Sequence, residues 1–213
     1  MFFKNIKKAL YSIIAFLLLG IGISLQIKAG IGQSMFNAFS MLFADLFHIE
    51  IGTMINVFNM LFFIIYLYVK PSPPNRKDLI QIIATMLNGY VINLFTYTVF
   101  HYIVLSSYYL KVLTFMLGLF LASVSLGAIL AMGMIRFPLE SLCLELGQKL
   151  NCSLTKIRMR FDVFFLVSTL LFTAVTRHTL YIREGSIVSF FLLSKLMGFS
   201  YERLLKLHQN KIP

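Results

Sequence analysis

Carboxamide side chains recur in two apolar segments of the chain. Asn56 and Asn59 are three residues apart, so both lie on one face of a predicted helix. In the next apolar segment, Gln81, Thr85 and Asn88 fall close to a single stripe. Amides surrounded by hydrocarbon need hydrogen-bond partners, so these faces should point at other helices. Two interpretations stay open: hydrogen bonds between helices, or a polar cleft that contacts water or a small solute.

Three ionisable side chains also fall in or beside apolar segments. Lys195 lies in the apolar run 187–199, where a charge is costly unless it reaches the membrane surface, pairs with an acid or faces water. Asp162 lies shortly after Arg158 and Arg160, which we assign to a cytoplasmic loop, and this fits either an ion pair at the membrane surface or a proton relay. Glu140 comes two residues after Pro138, in the first turn of a predicted helix, where the helix dipole favours a carboxylate.

The sequence lacks the motifs of common catalytic and metal sites. It contains no H-E-x-x-H, no G-x-S-x-G and no phosphate-binding loop, and its four histidines are isolated. Cys143 and Cys152 have no neighbouring histidine, so they make a poor zinc site, and a reducing compartment disfavours a disulfide between them. We therefore expect no enzymatic activity, no cofactor and no bound metal.

Composition indicates a membrane protein. The chain is 59% apolar and 13% charged with a mean hydropathy of +0.84, which is too apolar for the core of a soluble protein of 213 residues. A net charge of +11 would suggest nucleic acid as the partner of a soluble protein. Here the basic residues flank apolar segments, so the expected partner is anionic membrane lipid rather than nucleic acid.

Six apolar stretches predict spans at about 9–27, 51–69, 79–100, 112–135, 161–176 and 186–199. Fourteen of the 19 Lys and Arg residues fall in the termini and alternate loops that this topology places in the cytoplasm, and four fall in the other loops. Both termini should therefore be cytoplasmic. The first stretch is too long for a signal peptide and lacks a cleavage site, so we retain it as a span. The predicted fold class is all-α, a polytopic membrane bundle of about six transmembrane helices.

Two long apolar connections, 30–50 and 136–158, each predict a short helix. Such a helix lies in the interface or dips into the bilayer, and an ordinary amphipathic connector is the alternative. When the sequence is compared with itself at an offset of 103 residues, Gly30 aligns with Gly133. The order span, apolar connector, span, loop, span then occurs twice. Because each unit crosses three times, the second copy is upside down. We predict a 3+3 inverted repeat, 1–105 and 106–213, forming one integrated membrane domain.

Small residues four apart predict sites of close helix packing. These are Gly20 and Ser24 in the first span and Ser123 and Gly127 in the fourth, which the same offset aligns. Small side chains let helix backbones approach closely in lipid, where packing drives association.

Two glycine-rich segments carry a family resemblance. Gly20–Asn37, GIGISLQIKAGIGQSMFN, is followed by an apolar connector and Gly52, and it recurs more faintly as Ala131–Glu140, AMGMIRFPLE. On these segments the chain resembles the YczE/YyaS/YitT group of small bacterial integral membrane proteins. The resemblance covers nearly the whole chain and implies a bacterial plasma-membrane protein, described in places as transporter-like. It supplies no substrate.

The chain departs from that group's pattern in the first copy. The pattern is a span ending near Ala-x-x-Gly, then Pro, an aromatic residue and Asp at the start of a short helix. Met35 stands in place of the Pro and Asn37 in place of the Asp. In the second copy Pro138 is present and Glu140 stands for the acid.

Together these features predict a transporter-like protein of the bacterial inner membrane, acting alone or as a homo-oligomer. A small solute would sit between two halves that rock against each other. Asn56, Asn59 and Asn88 would contact it, and the residues near the two mouths would be Asn37, Glu140, Asp162 and Lys195. Two alternatives stay open: a non-transporting accessory or regulatory protein of a membrane complex, and a substrate-binding subunit of a vitamin importer.

Overall fold

The structure is a computed structural model that describes residues 2–133, 136–177 and 179–209. Within these residues the chain forms helices and no strand, which confirms the predicted all-α class. The α-helices are α1 Phe2–Ala29, α2 Met35–Leu46, α3 Ile51–Val69, α4 Arg76–Asn93, α5 Tyr108–Met132, α6 Pro138–Lys149, α7 Leu154–Thr176 and α8 Glu184–Gln209. A π-helical segment, Leu94–Val99, extends α4. The predicted end of the fourth span at 134 and 135 lies outside the described residues, as do His178 and Lys211.

Five helices in the described part of the chain are long and apolar enough to cross a membrane. These segments lie in α1, α3, α4 with its π-helical extension, α5 and α7, and they contain between 19 and 25 residues. Large apolar side chains on them face outward; Val175 of α7, for example, is 82% exposed. The chain is therefore a multi-pass membrane protein. The sixth predicted span lies in α8, where Lys195 and several serines make the helix less apolar, and it stays a prediction.

The observed start of α7 corrects the predicted start of the fifth span. The helix begins at Leu154, seven residues before the predicted span 161–176. The Ser153 hydroxyl accepts a hydrogen bond from the backbone N–H of Lys156 at 3.4 Å, which satisfies one of the free N–H groups at the start of a helix. As a result Arg158, which we assigned to a cytoplasmic loop, is the fifth residue of a helix.

The first and fifth helices cross at small residues and run antiparallel. Ser12 near the start of α1 donates a hydrogen bond to the sulfur of Met132 at the end of α5, 3.4 Å away. Further along α1, a Cβ on Gly22 would lie 2.7 Å from the backbone nitrogen of Ala122 and 2.8 Å from the carbonyl oxygen of Gly118. Backbones can approach this closely only where side chains are absent or small.

The four residues predicted to pack helices lie at buried helix contacts. Gly20 faces α4, and the Ser24 hydroxyl donates to a backbone carbonyl of α4 at 3.2 Å. Gly127 faces α8, where an added Cβ would lie 2.6 Å from a backbone carbonyl oxygen. Ser123 is fully buried, and its hydroxyl donates to the Leu119 carbonyl of its own helix.

The helix contacts of the two halves correspond when α1–α4 are exchanged for α5–α8. Helix α1 packs on α4 as α5 packs on α8, and α3 packs on α4 as α7 packs on α8. Helix α2 contacts α7 across the bundle, as α6 contacts α3. Gly30 after α1 and Gly133 after α5 share a left-handed backbone, with φ of 67° and 64°, which favours glycine. The residue boundaries 1–105 and 106–213 stay a prediction, because these contacts do not locate a boundary.

Candidate functional site

The short helix α2 begins inside the bundle, at mid-height. The ring of Phe36 in its first turn lies 6.0 Å from Phe62 in α3 and 5.3 Å from Phe165, at the middle of α7. Phe43, two turns later, lies 5.0 Å from Phe172 near the end of α7. Residues 35–40 are all buried. A helix of 12 residues is about 18 Å long, so α2 runs from the middle of the bundle to one end.

The short helix α6 is its counterpart and runs to the opposite end. Its first residue, Pro138, lines a small cavity together with Asn59 and Phe63 from the middle of α3. Its last turn leads within five residues to Leu154, where α7 begins. Residues 138–143 are all buried. Both short helices therefore begin inside the bundle, and their N-termini converge near its centre.

A cavity of about 60 Å³ lies where these N-termini converge. Every α-helix contributes to its wall or caps it, and all of the lining residues are buried. The apolar part of the wall is Leu19, Ile23, Phe36, Ile55, Ala122, Leu126, Phe137 and Leu193. The polar part is Gln26, Ser34, Asn37, Asn59, Asn88, Glu140 and Arg158. A cavity lined by buried residues, with a largely apolar wall and a few convergent polar groups, is typical of a small-ligand site.

Three polar atoms on this wall have no hydrogen-bond partner among the described residues. They are Oε1 of Gln26, Oδ1 of Asn88 and Nε of Arg158. Each of these residues is at most 3% exposed. Because buried polar groups in native proteins are nearly always hydrogen-bonded, such atoms indicate a place for water or a polar ligand.

The charged residues of the site form one buried cluster. The Arg158 guanidinium donates to Oδ1 of Asp162, one turn later on α7, at 2.6 Å. Oδ2 of Asp162 accepts a hydrogen bond from the Ser194 hydroxyl of α8 at 3.1 Å. On the cavity side, Nε of Arg158 lies 3.7 Å from Oε1 of Glu140. The cluster thus connects α6, α7 and α8 behind one wall of the cavity.

The structure brings together five of the seven predicted site residues. Asn37, Asn59, Asn88 and Glu140 line the cavity, and Asp162 lies behind it, bound to Arg158. Asn37 and Glu140 are therefore at the centre of the bundle, whereas we predicted them at the mouths.

The other two predicted residues do not line this cavity. Asn56 donates to the backbone carbonyl of Met86 at 3.1 Å, so it binds helix α4 instead. Lys195 is exposed on α8, while its neighbour Ser194 faces the charged cluster. Their predicted role as solute-binding residues has no support from this geometry.

Sequence reasoning missed Arg158 and Gln26 as site residues. Arg158 was counted with the basic residues that mark cytoplasmic loops, although its side chain is 3% exposed. Its spacing of four residues from Asp162 was the available signal, because such pairs lie on one face of a helix. For Gln26 the sequence offers one sign, a single amide in an otherwise apolar span.

A second cavity, of about 220 Å³, lies at the end of α2. Its polar lining includes Asp45, His48, Tyr97 and Tyr181. Burial and the hydrogen bond to Asp45 raise the pKa of Tyr181 to about 12, so its hydroxyl keeps its proton at neutral pH. Phenylalanine rings of α2, α3 and α7 fill the space between this outer pocket and the central cavity.

The expectations of no bound metal and no cofactor stay untested. Among the residues that the structure describes, no group of three or more His, Cys, Asp or Glu side chains is arranged to hold a metal ion.

Comparison with known proteins identifies the family of the chain. A family of unknown function, DUF6198, matches residues 6–202, which is most of the chain, and the protein belongs to this family. No curated protein and no solved structure matches it. The resemblance to the YczE/YyaS/YitT group is not tested by this match and stays a prediction.

Proposed function

We propose that this member of the DUF6198 family is a transporter that moves a small polar solute across the bacterial inner membrane. The observation that carries the proposal is the buried central cavity, into which the first turns of both half-length helices point polar residues. Helices that end at mid-membrane, in two halves of opposite orientation, are a recurrent way to build a transport site.

The size and lining of the cavity define the solute. One water needs on the order of 10–15 Å³ of such space, so about 60 Å³ holds a few waters or a solute of a few non-hydrogen atoms. Amide groups of Gln26, Asn37, Asn59 and Asn88 can donate and accept hydrogen bonds. A small neutral or zwitterionic solute with both donors and acceptors fits this lining best.

The arrangement of the two halves supports a rocking motion. Because the helix contacts of one half correspond to those of the other, the two halves could exchange arrangements with similar contacts. The close crossing of α1 and α5 at Gly22 and Gly118 joins the halves through backbone contacts and is suited to act as the axis.

Helix directions support the proposed topology. The crossing of α1 and α5 puts the start of α1 and the end of α5 at one end of the bundle. The α6–α7 connection lies at the same end, because α6 leads from the centre to the start of α7. These segments carry many of the basic residues that we assigned to the cytoplasm, which fits cytoplasmic termini.

Of the two alternatives, the vitamin-importer subunit fits the cavity less well. Sites for ligands of drug or vitamin size are commonly 300–1,000 Å³, several times the volume of this cavity. An accessory protein of a membrane complex needs no such cavity, so the flux experiment below separates it from a transporter.

The test is solute flux into proteoliposomes. The full chain is reconstituted, and stopped-flow light scattering reports the entry of urea, acetamide and glycine as probes, with the same pH on both sides. We expect at least one probe to enter faster than into protein-free liposomes. Asn59→Leu, which removes an amide from the cavity wall, should abolish the increase.

Lys195→Leu is the matched control, because it also replaces a polar residue of a long helix but lies outside the cavity. It should keep wild-type flux. If no probe enters faster than into empty liposomes, the transporter proposal fails, and co-purification of one partner protein in fixed stoichiometry would then favour the accessory role.

A further inference from the structure

The charged cluster beside the cavity contains two acids and one base. Asp162 and Arg158 form a close pair at 2.6 Å, and the Ser194 hydroxyl occupies the second oxygen of Asp162. Both carboxylate oxygens of Asp162 are thus engaged. This pair is balanced in charge and fully within the bundle, since Asp162 and Arg158 are both 2% exposed.

Glu140 lacks a positively charged partner at hydrogen-bond distance among the described residues. Its Oε1 lies 3.7 Å from Nε of Arg158, which is too long for a hydrogen bond, and that Nε has no acceptor among the described residues. Glu140 is the third residue of α6, where the helix dipole favours a negative charge. Burial disfavours an ionised carboxylate whose nearest positive charge is not hydrogen-bonded to it. The helix dipole offsets part of this cost.

Among the residues that the structure describes, no other charged group balances Glu140. From α7, which packs on α6, the residues that face it are Arg158 and Asp162. Helices α3 and α4 also pack on α6, and they bring the neutral amides of Asn59 and Asn88 to the same cavity wall. On α6 itself the neighbour is Cys143, a fully buried and neutral thiol. With both acids ionised, the cluster would carry one excess negative charge.

We propose that Glu140 is a proton-binding site of the central cavity. Its carboxylate takes up a proton, and the resulting carboxylic acid releases the proton again when Arg158 moves into hydrogen-bond distance. In the uptake step a proton from cavity water binds a carboxylate oxygen of Glu140 and forms the neutral acid. In the release step the O–H bond breaks, the proton returns to water, and the carboxylate is stabilised by the nearby guanidinium. Asp162 stays ionised and holds Arg158.

A proton bound at this position would couple solute movement to the proton gradient, and this consequence rests on the proposed transport function. Glu140 lies on α6 and its counter-charge on α7, and both line or adjoin the solute cavity. Any motion that changes the distance of 3.7 Å between Glu140 and Arg158 therefore changes the affinity of Glu140 for a proton.

Infrared difference spectroscopy tests the proton site directly. The full chain is placed in lipid nanodiscs, and spectra are recorded across a pH titration. We expect the carbonyl stretch of a protonated carboxylic acid to disappear as the pH rises. The band should be lost in Glu140→Gln and kept in Glu145→Gln, a matched change on the same helix at a half-buried position that does not line the cavity.

Two results would overturn the proposal: no titrating carboxylic-acid band in the wild type, or survival of the band in Glu140→Gln. In the second case, loss of the band in Asp162→Asn would assign the proton to Asp162 instead. If Glu140→Gln does not fold, Glu140→Asp replaces it, and its band should titrate at a different pH. The spectra need no solute flux and the flux test uses no pH gradient, so failure of one proposal is distinguishable from failure of the other.

Discussion

The two halves of the molecule share a scaffold but differ in charge at the central site. A displacement of 103 residues relates three pairs of positions: Asn37 and Glu140, Ile55 and Arg158, Asn59 and Asp162. Five of these six residues line the cavity, and Asp162 lies directly behind it. The first half contributes neutral side chains and the second half contributes all of the charge. Positions that the predicted repeat relates therefore carry different chemistry.

The N-termini of the two half-length helices, α2 and α6, also differ in charge. The Ser34 hydroxyl caps α2 by accepting a hydrogen bond from the backbone N–H of Asn37 at 3.3 Å. Helix α6 has no side-chain cap and instead begins with Pro138, with the acid Glu140 in its first turn. Proline at the first position and an acid nearby both suit a helix N-terminus. One half-helix is thus stabilised by a neutral cap and the other by a charge.

The largest expected effect comes from removing the positive charge of the second half. Arg158→Ile introduces the residue found at the equivalent position of the first half and leaves Asp162 and Glu140 without their counter-charge. Breaking a buried ion pair in this way costs about 3–5 kcal/mol, so we expect the free energy of unfolding in mixed micelles to fall by about that much.

The matched control makes the second half as neutral as the first. The triple variant Glu140→Asn, Arg158→Ile, Asp162→Asn leaves no buried charge at the site, and replacing a whole buried ionic group is often close to neutral for stability. It should recover most of the lost free energy. Equal stability of the single and triple variants would show that the charge difference between the halves has no energetic weight.

An intermediate effect is expected where the two halves touch. Gly22→Ala would put a Cβ 2.7 Å from the backbone nitrogen of Ala122, so α1 and α5 must separate. Overpacking of this kind costs about 1–3 kcal/mol, which thermal unfolding in detergent would report. Leu117→Ala, on the exposed face of α5, is the control and should stay within about 0.5 kcal/mol of the wild type. Similar unfolding of both variants would contradict a tight crossing.

The smallest effect is expected at the neutral cap. Ser34→Ala removes the hydroxyl that caps α2 and should cost about 1 kcal/mol locally, which corresponds to a roughly fivefold change in an opening equilibrium. Hydrogen exchange should therefore speed up in the first turn of α2 and stay unchanged in α6. Faster exchange in both helices would show that the two starts are coupled rather than separately stabilised.

The sequence was sufficient to predict that five long apolar helices are present, although not where α7 begins. Crossing a bilayer requires about 20 apolar residues, and the predicted spans 51–69 and 112–135 match α3 and the described part of α5 closely. Small residues in apolar segments also predicted where helices approach, as at Gly20 and Gly127. These predictions succeed because length, apolarity and residue size act locally along the chain.

Tertiary structure alone decided which polar side chains contact one another. Helical spacing puts Asn56 and Asn59 on one face, yet Asn59 lines the cavity while Asn56 binds α4. Lys195 and Ser194 are adjacent in sequence, and only the serine reaches the charged cluster. Periodicity fixes the relative directions of side chains on one helix. It does not fix which neighbour that helix faces or at what depth, because both depend on contacts between helices that are distant in sequence.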